Sequence, residues 1–332
     1  MGCGEIWFYE TRKEKIFNRL YVKKFIPFMA GFFYVIILLE VRCLNLENLP
    51  ELQWFPGHMK KAERLIQENL KLVDIVIEIL DARIPLSSQN PLLKKLLGDK
   101  IKLIVLSKSD LADEKSTKAW LKYFSEKNLS AVAVDLVKGS GVKNLISTAK
   151  NLAQEKTHKL TKFGAKPRSA RAMVIGIPNV GKSSLINRLA GMNHTKIENR
   201  PGVTRAKQWI KIADGLDLLD TPGILYPKFD DKIIALKLAW TFAINDVIFD
   251  VEPVVCLLLE TLAEKIPEKL SERYKISDLA DNGQEILLQI GKNRGCLMRG
   301  GQIDTDKAAK IVLSEFRAGT IGKITLDDVV VD

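Results

Sequence analysis

Short runs of aliphatic and β-branched residues alternate with longer amphipathic stretches between residues 74 and 220. This alternation is typical of a parallel sheet whose faces are covered by helices. The apolar runs predict six strands, at residues 74–80, 101–106, 131–135, 172–176, 208–212 and 216–220. We therefore expect an α/β fold in this part of the chain.

Apolar residues spaced three and four positions apart predict helices between these strands. The helices fall at residues 58–72, 114–127, 142–155 and 183–189. Beyond residue 227 the strand pattern fades, and four more helices are predicted, at 232–243, 253–264, 283–292 and 306–317. The chain should therefore comprise an α/β domain at 51–227, with a basic connector at 156–171, and a smaller all-helical domain at 228–332.

The first 50 residues form an extension that fits neither domain. Basic residues lead into an apolar run at 25–39, which Glu40 and Arg42 close. A membrane-spanning helix needs about 20 apolar residues, so this run is short for a span, and no small-residue cleavage site of the secretory kind follows it. Three interpretations stay open: a membrane-associating segment, an upstream stretch appended before the true start, and a packed N-terminal helix.

Composition narrows the class of protein and of partner. Hydrophobic residues make up 46% of the 332 residues, which is too much for a disordered chain. The 51 Lys and Arg residues exceed the 40 Asp and Glu residues, and the net charge of +11 favours a polyanionic partner such as nucleic acid or an anionic membrane. The four cysteines form no CxxC pair, so we expect free thiols in a reducing, cytoplasmic compartment.

The segment GIPNVGKS at 176–183 matches the pattern GxxxxGKS of a phosphate-binding loop. It follows a predicted strand and opens a predicted helix, which is the context that such a loop requires. Gly181 lets the backbone approach the phosphates, Lys182 can reach the β- and γ-phosphates, and the Ser183 hydroxyl can ligate Mg²⁺. The residues expected to contact the nucleotide here are Asn179, Val180, Gly181, Lys182, Ser183 and Ser184.

Two later segments complete a triphosphate site. Asp220 ends a predicted strand in the sequence DTPG, where its carboxylate can hold Mg²⁺ through water and the Gly223 amide can meet the γ-phosphate. Thr204, in the sequence GVT, is a candidate for closing on Mg²⁺ and the γ-phosphate as a switch residue. Together with Ser183, these residues predict a Mg²⁺-dependent nucleoside triphosphatase.

The base is expected to be read by segments that precede the phosphate loop. In the sequence SKSD, the Asp110 carboxylate can accept hydrogen bonds from N1 and N2 of guanine, which adenine cannot offer, while the Lys108 stem can cover the ring. The sequence DLVKGSG at 135–141 offers a backbone amide to the base. The residues assigned to the base side are Ser107, Lys108, Ser109, Asp110, Asp135 and Leu136. The predicted ligand is therefore GTP.

These motifs, in this order, resemble those of the circularly permuted GTPases of bacterial ribosome assembly, over residues 52–328. The shared blocks are QWFPGHM at 53–59, DARIP at 81–85, GIPNVGKSSLIN at 176–187, PGVT at 201–204, DTPGILYPKF at 220–229 and RGCLM at 294–298. The resemblance implies a P-loop GTPase fold with circularly permuted motif order and a helical C-terminal domain that contacts ribosomal RNA. It also implies a role in late maturation of the large ribosomal subunit.

Two features depart from the family's pattern. Ser107 stands where the family usually has Asn, and the shorter side chain puts its reach to the base and to the phosphate loop in question. Guanine affinity, rather than the overall function, depends on that reach. The extension at 1–50 is the other departure, because the family normally lacks it.

The group that activates the attacking water is left open by the sequence. Many small GTPases carry Gln where this chain has Ile224, and an apolar side chain cannot orient water. Asn179 could help to hold K⁺, as in similar proteins, or could merely stabilise the loop turn. The resemblance implies a catalytic role for His58, whose neutral imidazole could orient or deprotonate water near pH 7. His58 could equally begin a helix, next to Trp54 and Phe55 as anchoring or RNA-stacking residues.

The expected function is a GTPase that binds the immature large ribosomal subunit and hydrolyses GTP to GDP and phosphate. One alternative is a membrane-associated GTPase switch that uses the apolar run at 25–39. A third interpretation, an RNA-binding scaffold with a vestigial nucleotide site, is disfavoured because Lys182, Ser183, Thr204 and Asp220 are all present.

Overall fold

The structure is a computed structural model that describes residues 59–98, 100–162, 169–192, 209–213, 215–219, 231–280 and 282–329. All of these residues lie in one unit that extends from Asn48 to Asp332. The extension at 1–50 lies outside the described residues, so its three interpretations stay predictions. No helix within the described ranges is long and apolar enough to cross a membrane.

Six strands form one mixed sheet in the order β3-β2-β1-β4-β6-β5. The strands are β1 Ile75–Asp81, β2 Ile101–Ser107, β3 Ser130–Ala133, β4 Ala170–Ile175, β5 Trp209–Ala213 and β6 Leu216–Leu219. The prediction of a parallel sheet is wrong at one edge, because β5 runs antiparallel to β6. Only two residues separate these strands, and so short a connection permits only a hairpin.

The helices that accompany the sheet follow from the amphipathic pattern. They are α1 Met59–Leu70, α2 Pro91–Leu97, α3 Glu114–Glu126, α4 Val142–Lys162 and α5 Lys182–Met192. Leucine and isoleucine side chains of α1 and α2 pack against β1, β4 and β6 in one cluster, whereas Trp120 and Phe124 of α3 pack against β1 and β2 in another. Every residue of β1 is buried, as expected for the central strand of a covered sheet.

The structure corrects one predicted boundary in this part and adds one helix that was not predicted. Helix α4 continues to Lys162, so the expected end at residue 155 is wrong and the first part of the segment at 156–171 is helical. Helix α2 was not predicted, because seven residues are too few to display a helical period. It is instead specified by its start, where the Asn90 side chain accepts from the Leu92 amide and Pro91 occupies the first turn.

A segment of helices follows the sheet, and we call residues 231–317 the helical segment. It contains α6 Lys232–Trp240, a 3₁₀ turn Asp246–Ile248, α7 Val251–Lys265, α8 Pro267–Tyr274, α9 Gly283–Asn293 and α10 Thr305–Arg317. Helix α7 contacts α6, α8, α9 and α10 and buries Val254, Leu258 and Leu262 at four-residue spacing. The domain boundary at 227/228 stays a prediction, because residues 220–230 lie outside the described residues.

After α10 the chain returns to the sheet. The Ile324 amide donates to the Leu111 carbonyl at 3.1 Å, and the Leu326 amide donates to the Arg83 carbonyl at 2.7 Å. The buried Asp327 carboxylate then accepts from residues in the loop after β1. We call residues 318–329 the C-terminal tail, and these contacts fasten it to the loops that follow β1 and β2.

Candidate nucleotide site at the carboxyl end of the sheet

The sheet order brings the predicted base-side and phosphate-side residues to one place. Strands β2, β1 and β4 are parallel neighbours, and their carboxyl ends lie at Ser107, Asp81 and Ile175. Ligands of open α/β sheets bind at this edge, in the loops that leave the strands. SKSD and GIPNVGKS therefore meet in space although about 70 residues separate them in sequence.

The phosphate loop connects β4 to α5. Asn179 adopts a left-handed backbone conformation, with φ 58°, and Gly181 has φ 102°. Successive turns of this kind aim backbone N–H groups into a concavity that suits an anion, and the start of α5 adds the positive end of a helix dipole. Ser183 and Ser184 lie exposed in the first turn of α5. The backbone of the loop is therefore shaped for phosphate.

Lys182 lies across the loop. Its ammonium Nζ donates to the Ile177 carbonyl at 2.6 Å, and the residue is only 9% exposed. An ammonium group has three N–H donors, so it can bind more than one acceptor at a time. Lys182 thus places a fixed positive charge within the loop that the sequence assigns to phosphate.

Ser107 connects the base side to the phosphate side. Its hydroxyl Oγ lies 2.5 Å from the Val180 carbonyl of the phosphate loop and 2.9 Å from the Leu80 carbonyl of β1. The concern that a serine is too short to span to the phosphate loop is therefore wrong. Serine suffices because β2 and the phosphate loop approach closely, and Gly181 lies with Ser107 and Leu136 around it.

Lys108 is held by a buried carboxylate that the sequence reasoning did not assign. Its Nζ lies 2.9 Å from Oδ2 of Asp81, and Arg83 binds the same carboxylate through Nε at 3.0 Å and through a second nitrogen at 2.8 Å. Burial raises the pKa of Asp81, but the charges and hydrogen bonds of Arg83 and Lys108 outweigh burial and hold that pKa well below its usual range. Asp81 therefore remains a carboxylate and orients Lys108.

Asp110 is the residue assigned to guanine, and it lies half-buried after the left-handed turn at Lys108. The Ser109 amide donates to the Val134 carbonyl at 3.3 Å, which ties the motif to the end of β3. Among the described residues, none makes a hydrogen bond or ion pair with the Asp110 carboxylate. Its acceptor atoms are therefore available to a ligand that offers two neighbouring donors.

The loop at 135–141 is organised by its own first residue. Oδ1 of Asp135 accepts from the amides of Val137 and Lys138 at 2.8 and 2.9 Å, so this carboxylate shapes the loop. Arg188 of α5 donates to the Lys138 carbonyl at 2.9 Å. The loop is thus bound to the helix that begins at the phosphate loop, and its Leu136 side chain lies close to Gly181.

The remaining predicted site residues cannot be placed. His58, Thr204, Asp220 and Gly223 lie outside the described residues, so their roles stay predictions. Within the described ranges no cluster of three or more His, Cys, Asp or Glu residues could hold a metal. A Mg²⁺ ion in a triphosphatase is held largely by phosphate oxygens and water, and the exposed Ser183 hydroxyl at the start of α5 fits the ligand expected from this part of the chain.

Comparison with known proteins decides the family. A family model described as "50S ribosome-binding GTPase" matches residues 171–288, which begin just before the phosphate loop. Ribosome biogenesis GTPase A of Bacillus cereus is 48% identical over 276 residues, which cover 83% of this chain and 93% of that protein. The chain belongs to the ribosome biogenesis GTPase A family. The Thermotoga maritima member is 30% identical over 276 residues, which cover 83% of this chain and 94% of that protein.

Solved structures agree with this family. The GDP-bound structure of YlqF from T. maritima has a TM-score of 0.59 and 27% identity, and the match covers 80% of this chain and 99% of that one. As a member of the ribosome biogenesis GTPase A family, the chain is a GTP hydrolase. Its fold is a P-loop GTPase fold in circularly permuted order, with SKSD before the phosphate loop.

Sequence reasoning missed Asp81, Arg83 and Arg188. The first two lie in the block DARIP, which directly follows a predicted strand, and that position was a signal of a site residue. Arg188 offered no such signal, because an arginine on an amphipathic helix is an ordinary surface residue.

Proposed function

We propose that the chain binds the immature large ribosomal subunit in the cytoplasm and hydrolyses GTP to GDP and phosphate during late assembly. The observation that carries the proposal is the hydrogen bond from Ser107 to Val180, since it joins a guanine motif to a phosphate loop in a single site. The net charge of +11 supports an rRNA partner, because neutralised phosphates supply sequence-independent affinity for RNA.

In this proposal one side of the site binds the guanine base and the other side binds the phosphates. Asp110 accepts from the guanine, the Lys108 stem covers the ring, and the loop at 135–141 presents the Leu136 amide to the base. The phosphate loop binds the β- and γ-phosphates through its amides, Lys182, Ser183 and Ser184. Support comes from the fixed position of Lys108 on Asp81 and from the exposed first turn of α5.

We further propose that Ser183, Thr204 and Asp220 hold Mg²⁺, with the Gly223 amide at the γ-phosphate. The ion, when bound, neutralises the charge that develops on the phosphate oxygens. Potassium is a second candidate ion, next to Asn179. The Asn179 side-chain nitrogen donates to the Phe242 carbonyl at 2.7 Å, so the amide oxygen is the atom left to face a cation.

Within this proposal, His58 activates the attacking water. Ile224 cannot orient water, whereas a neutral imidazole near pH 7 can accept a proton from it. Binding to the ribosomal subunit would bring His58 to the nucleotide, so that hydrolysis follows docking and releases the protein. Intrinsic turnover without the subunit is then expected to be slow.

The test is GTP turnover measured with and without large ribosomal subunits, at low and high potassium, with ATP as the control substrate. The proposal expects turnover to rise at least tenfold with subunits, and ATP to be a poor substrate. Equal turnover with and without subunits would contradict the ribosome-coupled role. Lys182→Ala serves as the reference for activity that does not arise at this site.

A further inference from the structure

The phosphate loop is in direct contact with the helical segment. The side-chain nitrogen of Asn179 donates to the carbonyl oxygen of Phe242, just beyond the end of α6, at 2.7 Å. Both residues have a left-handed backbone, with φ 58° at Asn179 and 67° at Phe242. Non-glycine residues adopt this conformation at a cost in free energy and keep it where the surroundings hold them. The contact therefore joins two strained turns.

Arg317 of α10 stabilises the segment that carries the acceptor of this hydrogen bond, the Phe242 carbonyl. Its guanidinium donates to the carbonyls of Ala239 and Trp240 at 2.7 and 3.0 Å, and it forms a two-pronged pair with Asp246 at 2.6 and 2.7 Å. The guanidinium carbon also lies 4.7 Å from the centre of the Phe242 ring. Arg317 thus fixes the end of α6 and the residue whose carbonyl faces the phosphate loop.

The conformation of Asn179 matters for binding. A left-handed residue within the loop turns the following amides, those of Val180 and Gly181, toward the concavity that receives an anion. An asparagine tolerates this conformation better than most residues but not as well as glycine. The hydrogen bond to Phe242 therefore stabilises the form of the loop that binds phosphate.

We propose that Arg317 is a positioning residue for the phosphate loop. Arg317 holds the Phe242 carbonyl in the position where it accepts the hydrogen bond from the Asn179 side chain. That hydrogen bond in turn stabilises the left-handed backbone conformation of Asn179. Arg317 touches no nucleotide, and its effect on nucleotide affinity passes through Asn179. The inference rests on the assignment of residues 179–184 to phosphate in the proposed function.

The test uses equilibrium binding of a fluorescent GDP analogue, in sodium buffer so that the predicted potassium role of Asn179 does not enter. Arg317→Ala is expected to weaken binding about fivefold. Asn179→Ala should do the same, because alanine has neither the bond nor the tolerance for φ 58°. Asn179→Gly supplies a background in which residue 179 adopts this φ unaided, and the effect of Arg317→Ala in that background is measured relative to Asn179→Gly itself.

The decisive arm combines these changes. In the Asn179→Gly background, Arg317→Ala should change affinity by less than twofold, because the loop no longer depends on Phe242. A fivefold loss that persists in that background would overturn the inference, as would an unchanged affinity of the single Arg317→Ala variant. A merely structural role of Arg317 would not depend on the residue at 179.

Two controls separate folding and site assignment from the inference. Arg273→Ala removes an ion pair with Glu315 elsewhere in the helical segment, and it should leave GDP affinity unchanged. If Arg317→Ala does not fold, Arg317→Lys replaces it in the test. Lysine keeps a positive charge beside Asp246 but cannot make the paired hydrogen bonds of the guanidinium, so it is expected to weaken GDP binding about threefold. If Lys182→Ala bound GDP as tightly as the wild type, the phosphate assignment itself would fail. Loss of binding in Lys182→Ala, with Arg317→Ala unchanged, would overturn the inference alone.

Discussion

Replacement of Asp327 by alanine should strongly destabilise the fold. Asp327 is 3% exposed, and its carboxylate accepts from the amides of Leu86 and Ser87 at 2.8 and 2.7 Å, from the Ser87 hydroxyl at 2.8 Å, and from Lys237 at 2.9 Å. These bonds tie the C-terminal tail to the loop after β1 and to α6. Alanine would remove every one of them.

The magnitude follows from what is left behind. The loss of one partner from a buried ion pair costs about 3–5 kcal/mol, because the other charge stays buried. The orphaned amides each add about 1 kcal/mol or more, unless water reaches them. Because the Lys237 side chain is 14% exposed, we take the lower end of the first range and expect a total loss of about 5 kcal/mol, a large share of the roughly 5–15 kcal/mol that holds a typical domain folded.

The neighbouring residue supplies the control. Asp328 is 69% exposed at its side chain and pairs only with Lys265, at 2.8 Å, among the described residues. Asp328→Ala should therefore cost less than about 1 kcal/mol. Urea unfolding followed by tryptophan fluorescence measures both variants, and Trp120 donates to the Asp327 backbone carbonyl, so it reports on this region. Equal losses for the two variants would refute the reasoning.

Three further predictions concern buried or crowded groups. Burial raises the pKa of Glu78 above its ordinary 4.5, so its contribution to stability is full below pH about 4.5 and falls as the pH rises through the folded pKa. In thermal melts, Glu78→Gln should match the wild type at pH 4 and exceed it at pH 8; no gain at pH 8 would contradict this. Asp81→Asn should weaken GDP binding about tenfold by releasing Lys108, and unchanged affinity in a GDP titration would contradict it. Gly139 has φ 86°, which alanine rarely adopts, so Gly139→Ala should weaken GDP binding severalfold. The nearby Arg188 guanidinium is the movable end of a side chain, so the loss should persist in an Arg188→Ala background titrated the same way, and a loss that vanished there would contradict this.

The sheet and the phosphate loop were predictable because their signals are local. An apolar run predicts a strand wherever it packs, and GIPNVGKS carries its own context of strand and helix. The predicted ends of strands and helices differ from the observed ends where a turn begins earlier than the apolar pattern indicates. Strand β3 ends at Ala133, before the turn that Asp135 shapes, and α6 ends at Trp240, before the left-handed Phe242.

The contacts between distant segments were not predictable. Asn179 and Phe242 are 63 residues apart, and Asp327 lies 240 residues from Ser87. No spacing rule connects such pairs, because they meet only once the sheet order and the course of the tail are known. The reach of Ser107 to Val180 has the same origin, since it depends on how closely two loops approach.

The central claim is that SKSD and GIPNVGKS form one guanine nucleotide site. Competition binding of GDP and xanthosine diphosphate to the wild type and to Asp110→Asn tests it most directly. An asparagine can donate to the xanthine carbonyl that replaces the guanine amino group, so the variant should lose GDP affinity by about 100-fold and gain affinity for xanthosine diphosphate. An Asp110→Asn variant that keeps the wild-type preference for GDP would contradict the account.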